Sequence, residues 1–175
     1  MTKYIYNLSF DKENLEKIKK LMIQSKSLDS ETSATICKSN NDNPTIRNQF
    51  TGNKTSVEIV ENCLKDEEII GTYHTHKDNV LLSPKDLMNF ENAQYTAYRN
   101  KKNQPIDCIG NHKGDMRCYQ KRNFEDKDAF IATSVLKTEA KSKKKNVSKD
   151  KFEKEMVRIA NFYIKKLETK DFKIF

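Results

Sequence analysis

Two of the three histidines in this 175-residue chain stand one residue apart, in the stretch GTYHTHKDNVLLSPKD that runs from Gly71 to Asp86. The residues before them, Ile69, Ile70, Thr72, Tyr73 and Thr75, favour extended structure. On a strand the side-chain period is two, so His74 and His76 project from one face and Thr75 from the other. Two imidazoles on one face can share one ion. Zinc is usually tetrahedral with N, O or S ligands at about 2.0–2.3 Å, and a catalytic zinc takes three protein ligands and one water. Asp86 can be the third ligand, because the short loop Lys77–Leu82 brings the chain back and a helix starting at Ser83 puts Asp86 in its first turn. Ser83, Pro84 and Asp86 also make a sound helix start by themselves, with Ser at the N-cap, Pro at the first helical position and an acid at the third. Half of the constellation therefore has a capping explanation, and its conjunction with the histidine pair is what points to a metal.

These residues need a scaffold, and the chain supplies a coherent order of elements. YIYNLSF alternates as a first strand would, and DKENLEKIKKLMIQSKS sets Leu15, Ile18, Leu21 and Met22 at helical spacing behind a capping Asp11. ETSATICKS reads as a strand, NNDNP as a turn or loop and NKTSVEIV as a further strand, ahead of the histidine strand EEIIGTYHTH. The helix from Ser83 carries Leu87, Phe90, Ala93 and Ala97. PIDCIGNHKGDMRCYQ reads as a hairpin, with Gly114 free to take the positive φ of a tight turn. From about Asp126 no strand signal remains. DKDAFIATSVLKTEA looks helical, KSKKKN a connector, and DKFEKEMVRIANFYIKKLE an amphipathic helix with Phe152, Met156, Ile159, Phe162 or Tyr163, and Leu167 on one stripe. That stripe is expected to pack on the domain's own sheet, with a dimer or partner surface as the alternative.

At 20.5 kDa the chain suits one compact domain with an appended segment. Its longest apolar runs fall far short of a bilayer span, and its start lacks the pattern of a secretory signal. A soluble, unsecreted protein with no membrane partner is expected. Four cysteines, Cys37, Cys63, Cys108 and Cys118, with no CxxC pair, suggest the reducing cytoplasm rather than a disulfide framework. The net charge of +8 lies almost wholly in residues 137–175, which carry thirteen Lys and Arg against six Asp and Glu. Such a tail can follow phosphates or an acidic surface, although lysines among glutamates more often make a solvated helix face. Only four glycines are present and none forms a phosphate-binding loop. Cys108, His112 and Cys118 offer at most a weak soft-metal cluster, or a cysteine nucleophile with His112 as base.

The run from Gly71 to Asp86 resembles the signature of the JAMM (MPN-plus) metalloproteases, in which a strand ending in His-x-His is followed by a loop and by Ser-x-x-Asp opening a helix. The order of elements over residues 1 to about 120 is similar too, and SETSATIC puts Glu31 at the head of the early strand, where the family carries a glutamate. By spacing alone Glu58, Glu61, Glu67 and Glu68 are alternatives. The family usually has seven residues between the second histidine and the serine; here KDNVLL is six and begins with Lys77. The resemblance implies an α/β fold class: a JAMM/MPN-like mixed β-sheet flanked by helices. It implies a metalloprotease domain over residues 1–125 and leaves residues 126–175 as a basic helical C-terminal extension.

It also implies a chemistry. One Zn²⁺ per chain, held by His74, His76 and Asp86, would lower the pKa of a bound water toward ~7 and polarise a scissile carbonyl. Glu31 would take the water's proton and return it to the leaving amine, and Ser83 would donate a hydrogen bond to the oxyanion. The reaction is hydrolysis of a peptide or isopeptide bond. The implied substrate is a ubiquitin-like protein conjugate or a peptide, threaded as an added strand beside FTGNKTSVEIV; release of cysteine in sulfur metabolism is another such hydrolysis. The alternative is a non-catalytic module on the same fold, nucleic-acid-associated like the RadC relatives, binding through its Lys-rich tail.

Overall fold

The computed structural model describes residues 4–40, 43–60, 62–121, 141, 146–148, 150–151, 154–155, 158 and 167–175. Its described elements are a single-turn helix α1 (Tyr4–Asn7), the long helix α2 (Lys12–Leu28), β1 (Thr32–Ser39), β2 (Thr45–Thr51), β3 (Glu67–Thr75), α3 (Pro84–Arg99), β4 (Ile106–Gly110), β5 (Asp115–Lys121) and β6 (Leu167–Lys173). The six strands form one mixed sheet in the order β2-β1-β3-β4-β5-β6. β1 pairs antiparallel with β2 and β3, and β4 antiparallel with β5, whereas β3 and β4 run parallel, as strands joined through an intervening helix can. The protein is thus α/β. The chain divides into two compact units, one of Met1–Leu81, Pro105–Gln120 and Thr169–Phe175, the other of Leu82–Gln104 and Lys121–Glu168.

In the first unit α2 forms where the sequence predicts it. Asp11, in extended conformation, caps it by accepting from the Asn14 N–H at 2.9 Å. Ile18, Leu21, Met22 and Ser25 make its buried stripe, and Asp29 closes it in the left-handed region. The apolar members of this stripe join Ala34, Ile36, Ile46, Ile70, Tyr73, Ile106 and Met116 in one core cluster.

β1 is buried along six consecutive residues rather than alternately. Its other face is covered by residues 57–60, 62 and 63. Ser33 Oγ donates to the Glu58 carbonyl, Thr35 Oγ1 to the Val60 carbonyl, and Cys37 is bonded to Cys63. Three side chains two residues apart on β1 thus hold three successive points of an extended strap. The strand expected over NKTSVEIV does not form: residues 53–56 make a turn whose N–H groups at Thr55 and Ser56 are taken by Asn53 Oδ1, and residues 57–60 belong to this strap, with the Glu58 and Val60 carbonyls bonded to side chains on the sheet face. The strand that does pair with β1 is β2, immediately upstream.

Two further expectations are corrected. YIYNLSF is not a strand; Tyr4–Asn7 is a helical turn whose Ile5 N–H is taken by the Gln120 side chain at 3.1 Å, which sends Ile5 and Leu8 into the core. The C-terminal region also contains a strand, β6, where only helix is expected from the sequence. Its sequence LETKDFK has little β propensity, but tertiary partners hold it. Arg117 grips Asp171 at 2.6 Å, Lys173 reaches Asp115 at 2.6 Å, and the Phe172 ring meets Phe10 edge-on at 5.9 Å. At Gly114, φ is +88°, and a Cβ there would stand 2.4 Å from the Phe175 carbonyl oxygen, so the hairpin turn and the docked C-terminus both require glycine. Asp150, Lys151, Lys154, Glu155 and Arg158 are helical as expected. The helix over 126–140 and the stripe of Phe152, Met156, Ile159, Phe162 or Tyr163 fall outside the described residues, and Leu167 begins β6 instead.

In the second unit α3 opens on Ser83, and the Glu91 carboxylate pairs with Lys121 at 3.2 Å, both side chains being almost fully buried. Among the described residues no helix is long and apolar enough to cross a membrane.

Candidate metal centre

The histidine strand is β3 as expected, and its period places the functional groups. Thr75 faces α2: its hydroxyl accepts the Thr32 N–H at 2.8 Å and donates to Ser25 Oγ at 2.9 Å. His74 and His76 take the opposite face. Their Nε2 atoms stand 3.1 Å apart, with ring centroids at 4.8 Å and the rings steeply inclined. Two nitrogens each 2.0–2.1 Å from one ion at a tetrahedral angle stand about 3.3 Å apart. The pair therefore presents its donors at a spacing that suits one zinc-sized ion. His74 is 5% exposed, and the His76 N–H continues the β3–β4 ladder by donating to the Gly110 carbonyl at 2.8 Å.

Asp86 and Ser83 belong to the start of α3. Ser83 is the N-cap: its Oγ accepts from the Asp86 N–H at 3.1 Å, while Asp86 Oδ2 accepts from the Ser83 N–H at 2.9 Å. This is a complete capping box. The box uses one carboxylate oxygen, so the capping role and a ligand role are compatible, and the Ser83 hydroxyl keeps its own proton for a further acceptor. His74, His76 and Asp86 form a group that could hold a metal ion.

Glu31 lies one residue before β1. Its N–H donates to the Asn53 carbonyl at 2.7 Å, and its carbonyl accepts from the Gly52 N–H at 2.8 Å. Ser33 is paired with His74 in the β1–β3 register, and Glu31 stands two residues before Ser33, ahead of the paired positions. Of its rivals, Glu67 is bound to Arg47 through two bonds of 2.6 and 2.9 Å, which hold its carboxyl below the usual range. Glu68 pairs at the far end of β3, opposite Lys38. Glu58 is exposed on the strap, and Glu61 falls outside the described residues.

The six-residue loop after His76 is pinned from below by the β4–β5 hairpin. The His112 N–H donates to the Lys77 carbonyl at 3.2 Å, and the Tyr119 hydroxyl to the Val80 carbonyl at 2.6 Å. The weak cluster of Cys108, His112 and Cys118 is corrected. Cys108 and Cys118 lie directly opposite on β4 and β5 and are joined, and His112 Nε2 bonds Ser25 Oγ at 2.8 Å. All four cysteines pair, so the free thiols expected from the sequence are two disulfides. Cross-strand pairing and the strap bring together residues whose spacing carries no such signal.

No protein-family model matches the chain, and no curated protein is significantly similar to it.

Two features escape a reading of the sequence. One is the hydroxyl chain Thr32–Thr75–Ser25 behind the histidines, whose members look like ordinary strand and helix residues. The other is Asp107 on β4, which accepts from the Thr72 hydroxyl at 3.2 Å and lies 3.8 Å from His74 Nδ1. Its only signal is an acid inside an otherwise apolar strand, IDCIG.

Proposed function

We propose that the protein is a zinc-dependent metallopeptidase of the JAMM (MPN-plus) type that hydrolyses a peptide or isopeptide bond. The observation that carries this reading is the 3.1 Å approach of two Nε2 atoms on one sheet face, at a separation suited to shared ligation. His74, His76 and Asp86 are the ligand set, and imidazole with carboxylate is a donor set that zinc accepts. Bound zinc would supply an acidified water and an electrophile for the scissile carbonyl.

The chain's own groups have distinct tasks. Glu31 accepts a proton on the histidine face and returns it to the leaving amine. Ser83 donates to the oxygen on which charge develops. β2, an edge strand beside β1, offers backbone groups to an extended tail added as a further strand, the mode by which a ubiquitin-like modifier presents its C-terminus. A non-catalytic, nucleic-acid-associated module is the second reading, and the excess of Lys and Arg in residues 137–175 is what favours it.

Elemental mass spectrometry on protein purified without added zinc tests the first reading. About one zinc per chain in wild type, lost in His76→Ala and in Asp86→Ala, is the expected result. No zinc in wild type after incubation with the metal would leave the binding-module reading, whose mark is DNA affinity that falls steeply with salt.

A further inference from the structure

Strand β4 runs parallel to β3 with Thr72 opposite Asp107 and His74 opposite Ile109, so Asp107 stands diagonally across from His74. The two side chains are mostly buried, at 7% exposure for His74 and 14% for Asp107. His74 turns one ring nitrogen, Nε2, toward His76 and the other, Nδ1, toward the Asp107 carboxylate, with Oδ1 at 3.8 Å. The same Oδ1 is held by the Thr72 hydroxyl at 3.2 Å. An approach of about 1 Å would turn the His74–Asp107 pair into a hydrogen bond.

We propose that Asp107 is a positioning residue for the metal site: it orients His74 from behind through Nδ1, so that Nε2 faces the ion, and Thr72 anchors the Asp107 carboxylate. A histidine that ligates through one nitrogen commonly gives its other N–H to a carboxylate, which selects the tautomer, fixes the ring and raises its basicity as a donor. Here the carboxylate comes from the neighbouring parallel strand, so its placement depends on the sheet register and not on a loop. This inference rests on the ligand role of His74 set out above. The competing account is a purely structural Thr72–Asp107 cross-strand pair. Asp107→Asn separates the two, because the amide oxygen it introduces would still accept from the Thr72 hydroxyl while carrying no charge.

The test is zinc affinity by chelator competition, together with the absorption spectrum of the cobalt-substituted protein, for wild type, Asp107→Asn, Asp107→Ala and Thr72→Val. Thermal unfolding of the metal-free proteins runs alongside. Zinc affinity is expected to fall about 10–100-fold in Asp107→Ala and by less in Asp107→Asn and Thr72→Val, with shifted cobalt bands at saturation. Metal-free Asp107→Asn is expected to unfold with wild type, so that its loss of affinity is not a loss of fold. If Asp107→Ala does not fold, the Asn and Val variants decide. Zinc affinity and cobalt spectra equal to wild type in the folded variants would overturn the role of Asp107 while leaving the ligands in place. Absence of zinc from wild type would overturn the metal reading itself, and the role of Asp107 with it.

Discussion

The Thr75 hydroxyl, set between the two histidines, lies 3.1 Å from the Thr32 hydroxyl on the neighbouring strand. Thr75 also accepts the Thr32 N–H, so the strand that carries the imidazoles is locked to β1 by a side chain on its reverse face. Both residues are fully buried. Thr75→Val keeps the shape but leaves the Thr32 N–H and Ser25 without this partner, and a loss of about 1–3 kcal/mol in unfolding free energy is expected. Thr75→Ser, which keeps the hydroxyl, should lose less; urea denaturation of the metal-free proteins compares them.

His112 ends the same chain of hydroxyls, through Ser25. Burial is the main cause that pushes its pKa below the ordinary histidine value, with Lys26 and Lys77 acting in the same sense against Asp29 and Asp78. A base whose folded pKa is depressed binds protons more readily when unfolded, so stability rises with pH across that interval. The contribution is present above the ordinary value near ~6.5 and is lost as pH falls toward the folded value. Denaturation midpoints below about pH 6.5 should therefore fall more steeply in wild type than in His112→Gln.

Ser83 has two tasks that substitution can separate. Ser83→Ala removes the N-cap of α3 and should cost about 1 kcal/mol of stability. If Ser83 also donates to the developing oxyanion, kcat should fall about 10²–10³-fold. Ser83→Asp supplies a capping oxygen but no hydroxyl donor, so stability should return while activity stays low. Unfolding curves and turnover of a fluorogenic ubiquitin-like or peptide conjugate provide the two readouts.

Glu31→Gln should keep zinc and lose hydrolysis, because the amide retains the shape of the side chain and cannot take a proton from water. Equal zinc content with turnover reduced by about two orders of magnitude or more is the expected pair of results. Activity close to wild type would move the base to another carboxylate.

The Cys37–Cys63 bond closes a chain segment of 26 residues and fastens the strap across β1. On the loop-entropy scale such a closure is worth about 3.5 kcal/mol. Cys63→Ser should lower stability by about 2–4 kcal/mol and raise protease cleavage within residues 52–62, readable by mass spectrometry of limited digests.

Local patterns carry some of this architecture in full. The spacing His74-Thr75-His76 sets both imidazoles on one face of any strand, and Ser83-Pro84-Lys85-Asp86 makes a helix start wherever it folds. α2, β3, α3 and the β4–β5 hairpin follow from periodicity and turn residues, because each has contacts within reach of its own sequence neighbours. β6 is silent in the sequence for the opposite reason: Leu167–Lys173 has little propensity of its own and is held by Arg117, Asp115 and Phe10, residues far away along the chain. The strap mimics a strand because VEIV has strand composition, and the hydroxyls of Ser33 and Thr35, with the Cys37–Cys63 bond, hold it on the sheet rather than in it.

Which atoms could become ligands follows from residue type and a period of two, and both are written in the chain. What stands behind and beside those atoms is decided by the folded sheet. The parallel register of β3 and β4 sets Asp107 near His74 Nδ1, the antiparallel register of β1 sets Ser33 beside His74, and the cross-strand positions of Cys108 and Cys118 join them. Those neighbours come from separate strands, and register between strands is a property of the sheet as a whole, fixed by which faces are buried and not by any one segment.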